Sequence, residues 1–239
     1  MAYITLIGGT GFLGREICKL LNATDYDILV TTRNVSMHRE QFAGHRNVRL
    51  LQIPVYDALA MADICRQSET VVNLAHIHRE QHRSRIDLPP ARRGDFEEVF
   101  IELPRRLIHA AKHHPEMRIL QVSCHGASPL SSSGQKRAQG LGEVLMVEAS
   151  RNSQSQGHFT YLNGPKFTWG EGLHSTVLRL PPLNSTNLSR MAGVVVDQIR
   201  GETAHWGEIL EVSTDGHYRV VYPKSQDTGQ LTGTLATHA

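Results

Sequence analysis

Short apolar runs at residues 3–7, 27–32, 47–54, 69–75, 118–123 and 176–182 alternate with segments whose apolar positions recur every three to four residues. Runs of that length fit strands buried on both faces, and the intervening segments fit helices that cover them. The helical pattern is plain at 15–21, 58–65, 96–114, 135–143 and 188–199. Pro104 falls inside the third of these and predicts a kink or restart near Leu103, because proline offers no backbone N–H and crowds the preceding turn. Asp57 and Asn187 stand where a short polar side chain caps the following helix. Asp215-Gly216 separates two strand-like runs, 208–213 and 217–222, as a hairpin turn does. Strand then helix, repeated, predicts an α/β protein with a doubly wound, largely parallel sheet.

The first strand runs into Gly8-Gly9-Thr10-Gly11-Phe12-Leu13-Gly14, and a helix follows at once. Strand, glycine turn and helix form the context in which a dinucleotide's pyrophosphate is held. Glycines let the backbone approach the phosphates, while the free N–H groups and dipole of the helix start favour their charge. The spacing is Gly-x-x-Gly-x-x-Gly rather than Gly-x-Gly-x-x-Gly. At the end of the second strand, where an acidic residue holds the ribose 2′-hydroxyl of NAD, the chain carries Arg33. A guanidinium there suits a 2′-phosphate, so NADPH (NADP) is the expected cofactor and NAD the second choice. The plainer alternative for Arg33 is a solvated strand end.

Residues 7–15, Ile-Gly-Gly-Thr-Gly-Phe-Leu-Gly-Arg, closely resemble the start of extended and atypical short-chain dehydrogenase/reductases of the NAD-dependent epimerase/dehydratase type. The resemblance runs over residues 3–150 and implies a Rossmann-type fold binding a nicotinamide dinucleotide along Gly8 to Gly14. It places Asp57 beside the adenine, Ala75 against the cofactor, and Ser123 at the position of the family's catalytic hydroxyl. Pro181 and Leu183 fall on the nicotinamide side. Active members add a Tyr on the next helix and a Lys four residues later. Here Gly142-Glu143 resembles the end of that motif and puts Gln135 and Gln139 at the Tyr and Lys positions. No Tyr occurs between Tyr56 and Tyr161, so the phenol is missing in every register. Glutamine does not titrate near neutrality and cannot supply the proton. Lys136 with Ser132 is the best local substitute, and a serine hydroxyl is too weak an acid. Tyr161 and Lys166 lie in a Gly- and Pro-broken stretch at a spacing that one helical face does not present. Ser123 is left as a catalytic remnant.

The most similar branch is the accessory subunit of mitochondrial respiratory complex I, in which the nucleotide is kept as a structural ligand and the Tyr/Lys pair is lost. That resemblance implies a mitochondrial protein on the matrix side of the inner membrane, whose partners are protein subunits of a membrane-associated complex. An active atypical reductase, epimerase or isomerase with an unconventional acid is the alternative. The expected division is a Rossmann domain over residues 1–180, a reduced C-terminal lobe of one helix and one hairpin over 181–224, and a flexible tail over 225–239.

Composition narrows these readings. A length of 239 residues suits one sizeable α/β domain with a small appendage. A net charge of +2 gives no reason to expect a nucleic-acid partner, and no apolar run reaches the length of a membrane span. No targeting segment precedes the first strand if Met1 is the start, which leaves the cytoplasm or an organelle reached by an internal signal. His76, His78 and His82 lack the spaced cysteine or carboxylate partners of a metal site, so no metal is expected. The stretch 76–85 reads as a solvated loop or a basic docking patch. Cys18, Cys65 and Cys124 are far apart and read as reduced core residues.

Overall fold

A computed structural model of the chain describes residues 3–22, 24–80, 95–151, 173–201 and 205–222. Tyr161, Lys166, His82 and the expected tail over 225–239 lie outside the described residues. Eight strands form one sheet: β1 (Tyr3–Ile7), β2 (Ile28–Thr32), β3 (Val48–Gln52), β4 (Ser68–Asn73), β5 (Arg118–Cys124), β6 (His174–Leu180), β7 (Glu208–Val212) and β8 (Tyr218–Tyr222). Their order is β3-β2-β1-β4-β5-β6-β7-β8, parallel throughout except for the closing β7–β8 hairpin. The chain leaves β1 in one direction to β2 and β3, then returns to lay β4 on its other side. This reversal opens a crevice at the carboxyl ends of β1 and β4, where open α/β sheets take their ligands.

The helices α1 (Phe12–Leu21), α2 (Ala58–Gln67), α3 (Leu103–Ala111), α4 (Gly134–Arg151) and α5 (Leu188–Arg200) divide between the two faces. Ile17 and Leu21 of α1 join Met191, Val195 and Ile199 of α5 over Ile4, Leu6, Val30, Leu178 and Leu210. On the other face, Met61 and Ile64 of α2, Leu107 and Ile108 of α3 and Met146 of α4 cover Ile7, Val71, Ile119, Val177 and Ile209. Neighbouring strand residues such as Ile119 and Leu120, or Val177 and Leu178, thus serve opposite cores. Double burial explains why the strands read as continuous apolar runs.

The proline restart occurs where expected, with a particular geometry. Residues Glu98–Glu102 form a π-helical turn, and α3 begins at Leu103 with Pro104 in its first positions. Pro104 has no N–H to offer the Phe100 carbonyl four residues earlier. That carbonyl instead faces Gly142 of α4, where a Cβ would lie 2.0 Å from its oxygen. Gly142 therefore sets how closely α4 approaches the π turn. Two elements are longer than their patterns suggested: α1 begins inside the glycine motif at Phe12, and α4 continues to Arg151. The hairpin expected at Asp215-Gly216 forms, with Gly216 at φ +91°. Helix α5 and the hairpin attach to the sheet through the β6–β7 pairing.

Candidate functional site

The glycine turn is shaped by backbone contacts that side chains would block. Gly8 has φ +75°, and a Cβ there would meet the Ala75 nitrogen at 3.0 Å, so the turn lies directly on the chain leaving β4. A Cβ on Gly14 would fall 2.3 Å from the Gly9 oxygen, which fixes the first turn of α1 against the end of β1. Gly11 is the N-cap of α1 in extended conformation, with no side-chain cap and no acidic residue in the first turn. The first N–H groups of α1 consequently have no side-chain acceptor of their own and face the crevice as donors. Phe12 is 74% exposed with the Arg15 guanidinium 5.1 Å above its ring, whereas Leu13 is buried. Uncapped donors, absence of a competing carboxylate and room above Gly11 fit a dinucleotide pyrophosphate.

Arg33 is exposed just beyond β2. Its charge acts on the neighbouring Tyr56, whose phenol is pushed up by burial and shares a 2.8 Å hydrogen bond with Thr31 Oγ1. Asp57 caps α2 by accepting the Ala60 N–H at 2.9 Å and remains exposed on the same rim. Asn73 is fully buried and serves the sheet: its Nδ2 donates to Gln121 Oε1 at 2.8 Å, and its Oδ1 accepts the Ala75 N–H at 3.1 Å. Pro181 is buried at the end of β6, and Leu183 is exposed two residues on.

The residues at the Tyr and Lys positions of the resembled family come together. Gln135 and Gln139 lie one turn apart on α4, and both turn their amides to His76, at 3.2 Å from Nε2 and 3.3 Å from Nδ1. Gln135 also donates to the Ile77 carbonyl at 3.1 Å, and the Cys124 thiol donates to Gln139 Oε1 at 2.8 Å. His76 is exposed as a residue, its Nε2 contact lying at the surface and its Nδ1 contact partly enclosed against α4. This enclosure, with His78 close by, lowers its pKa and favours the neutral ring. A neutral imidazole has a single acceptor nitrogen, so only one of the two glutamine Nε2 groups can donate to it at a time. The cluster holds donors and acceptors but no phenol.

Ser123 sits one α4 turn deeper, its Oγ buried beside the Glu143 carboxylate without a hydrogen bond of normal geometry. Glu143 is itself buried and accepts two bonds from Arg179 of β6, 2.9 Å from Nε and 2.6 Å from Nη2. Burial pushes the Glu143 carboxyl up while Arg179 pulls it back. Gly142-Glu143 thus has two structural tasks, the close approach to Phe100 and a bidentate tie from α4 to β6. A second such tie joins Glu98 of the π turn to Arg106, which also donates to the Tyr56 carbonyl at 3.0 Å. The cysteines separate: Cys18 and Cys65 are buried with thiols pushed up to about 12, whereas Cys124 is only partly buried and belongs to the His76 cluster rather than the core. Sequence reasoning missed His76 and Cys124 as members of this cluster. Among the described residues no group of three or more potential ligands is placed to hold a metal ion, and no helix is long and apolar enough to cross a membrane.

Over residues 4–141 the chain matches the NAD dependent epimerase/dehydratase family, and it belongs to that family. Its sheet order and glycine turn are those of a nucleotide-binding Rossmann protein. More particularly, it is 30% identical over 142 residues to the mitochondrial NADH dehydrogenase [ubiquinone] 1 alpha subcomplex subunit 9 of Mus musculus. That alignment covers 58% of this chain but 35% of the mouse protein, so the chain spans about a third of the relative's length. Among solved structures, WbmF of Bordetella bronchiseptica in complex with NAD+ matches with a TM-score of 0.62 at 13% identity, covering 92% of this chain and 75% of WbmF. ElxO with NADP bound matches with a TM-score of 0.64 at 14% identity, covering 90% and 99%. At such identities these two support the fold alone.

Proposed function

We propose that this protein binds NADP(H) as a structural ligand, has lost the family's carbonyl chemistry, and serves as an accessory subunit of a complex I-like NADH:ubiquinone oxidoreductase on the matrix side of the mitochondrial inner membrane. The observation that carries the loss of chemistry is the pairing of Gln135 and Gln139 on His76. Both positions point into the cluster where the Tyr and Lys would act, and neither side chain titrates. The choice of NADP(H) rests on Arg33, which presents a free-standing cation beyond β2 where NAD-selective folds place a carboxylate. Assembly and compartment rest on the mouse relative, named as a mitochondrial subunit of NADH dehydrogenase. A bound nucleotide stabilises the fold by mass action, about 2.7 kcal/mol at 100 times its dissociation constant, and so supports assembly without turnover.

The test is assembly in the native source. Tagged protein should comigrate on native gels with a complex far heavier than the chain, and Gly11→Val should drop out of it, because a side chain there enters the pyrophosphate path. Arg33→Asp, which leaves the turn intact, should lower nucleotide content with a milder assembly defect. Normal assembly by both variants, with no nucleotide in either, would overturn a structural cofactor. Migration of the wild type as a free monomer would overturn the accessory role.

A further inference from the structure

We propose that Ser36 is a phosphorylation site whose phosphate competes with the nucleotide's 2′-phosphate for Arg33, a regulatory role that rests on the NADP(H) reading above. Arg33, Ser36 and Arg39 follow one another at intervals of three in the loop that leaves β2, and all three are exposed. Over residues 33–47 the chain sets Arg33, Arg39 and Arg46 against Glu40 alone. Such a charge pattern suits a serine kinase that reads a guanidinium three residues before its target. The phosphoryl donor is ATP. Ser36 Oγ bonds to the γ-phosphorus, the bond bridging the β- and γ-phosphates breaks, ADP leaves, and the hydroxyl proton passes to the kinase's base.

The loop is folded so that the hydroxyl turns back along the chain toward Arg33. Ser36 Oγ donates to Asn34 Oδ1 at 2.7 Å, and the Asn34 N–H donates to Thr32 Oγ1 at 3.2 Å. Asn34 is thus held from both sides, directly after Arg33. The His38 N–H closes a turn on the Val35 carbonyl at 3.1 Å, with Ser36 at its first inner position. Among the described residues no carboxylate forms an ion pair with Arg33 or Arg39, so both guanidinium groups are open to an anion. Three residues of chain span at most about 10 Å, a gap that an arginine and a phosphoserine side chain close together. A phosphate on Ser36 brings a charge near −2 and three acceptor oxygens, which Arg33 and Arg39 bind as they bind any phosphate. Being tethered, it acts at a local concentration of roughly millimolar order. The 2′-phosphate of NADPH then meets an engaged Arg33 with a like charge beside it, whereas NADH brings no 2′-phosphate to be refused.

The experiment compares the full chain, unmodified and phosphorylated at Ser36 by phosphoserine incorporated during translation, in calorimetric titrations with NADPH and NADH. Phosphorylation should weaken NADPH about tenfold, the scale of losing a hydrogen bond to a charged group. It should weaken NADH by less than about threefold, the scale of an exposed charge pair. In an Arg33→Ala background the phosphate should affect NADPH no more than it affects NADH, because the group it competes for is gone. Protein purified from its native source with phosphatase inhibitors should carry phosphate on Ser36, read by mass spectrometry. Unaltered NADPH affinity after phosphorylation, equal losses for both nucleotides, a full NADPH loss that persists without Arg33, or no phosphate on Ser36 in the native protein would each overturn the proposal while leaving the NADP(H) reading intact. Equal affinities for the two nucleotides in the unmodified wild type would instead overturn the Arg33 reading, and this proposal with it.

Discussion

Two glycines inside helices should respond to the same substitution with opposite signs. Gly142 lies within α4 and Gly193 within α5, and alanine is favoured over glycine by about 1 kcal/mol in a helix interior. At Gly193 a new methyl meets nothing within 4 Å, so Gly193→Ala should stabilise by nearly that full amount. At Gly142 the methyl would sit 2.0 Å from the Phe100 oxygen, well inside the 3.0 Å below which a Cβ essentially never approaches. The obstacle is backbone held in a π turn, not the far end of a flexible side chain, so relief requires α4 or the turn to move. Overpacking of this kind costs about 1–3 kcal/mol, and the upper half of that range exceeds the gain in helix propensity. Gly142→Ala should therefore be destabilised by about 1–2 kcal/mol. At roughly 2–4 °C per kcal/mol for a chain of this size, the two variants should melt about 4–12 °C apart, on either side of the wild type. Thermal and urea unfolding followed by circular dichroism measure this directly. A Gly142→Ala protein at least as stable as the wild type would refute the inference that Phe100 and Gly142 are locked together.

The remaining predictions concern the site and its charges. Arg33→Asp should erase or reverse a preference for NADPH over NADH, since Arg33 is exposed and losing hydrogen bonds to a charged group costs about 1.5–3 kcal/mol at most; equal affinities in the wild type, read by calorimetry, would sink that assignment. NADPH oxidation across a broad panel of carbonyl compounds should be undetectable or very slow, because loss of general acid catalysis alone removes about 10²–10⁴-fold. The folded-state pKa of His76 lies below its ordinary value of 6.5, so the stability linked to this residue is fully present above that value. It should decline as pH falls from there toward the lowered folded value, and this slope should be flatter in His76→Ala. Arg179→Met leaves the buried Glu143 carboxylate unpaired, for which about 3–5 kcal/mol is an upper figure given that Arg179 is partly exposed. Its stability deficit should shrink as pH falls, because protonation of Glu143 then removes the unpaired charge.

The order of elements was legible because every strand of the parallel sheet is buried twice, which leaves apolar runs too short for helices and too continuous for loops. Pro104 announced its restart through backbone chemistry that no packing can undo. Other features were hidden for physical reasons. The helical pattern read over 135–143 stopped short, because the apolar residues beyond Gly140 and Gly142, Met146 and Val147, carry α4 onward into the core. The glycines are there because Ser128 and Phe100 press their backbones against them, and such contacts leave no trace in periodicity. The cofactor turn was readable from local spacing. The His76 cluster was not, since it joins residues after β4 and β5 to α4, and only the tertiary structure brings Cys124 and Gln139 within reach.

The packing of α1 against α5 has a consequence for how the protein comes into being. The helix that begins at the glycine turn is made well before α5, yet much of its apolar face is covered by Met191, Val195 and Ile199 of that later helix. Until then the side of α1 that α5 will cover remains open to solvent or to whatever binds nascent chains. A chain cut short after β6 would therefore carry the whole glycine turn on a helix seated on β1 and β2 but bare on the side that α5 covers.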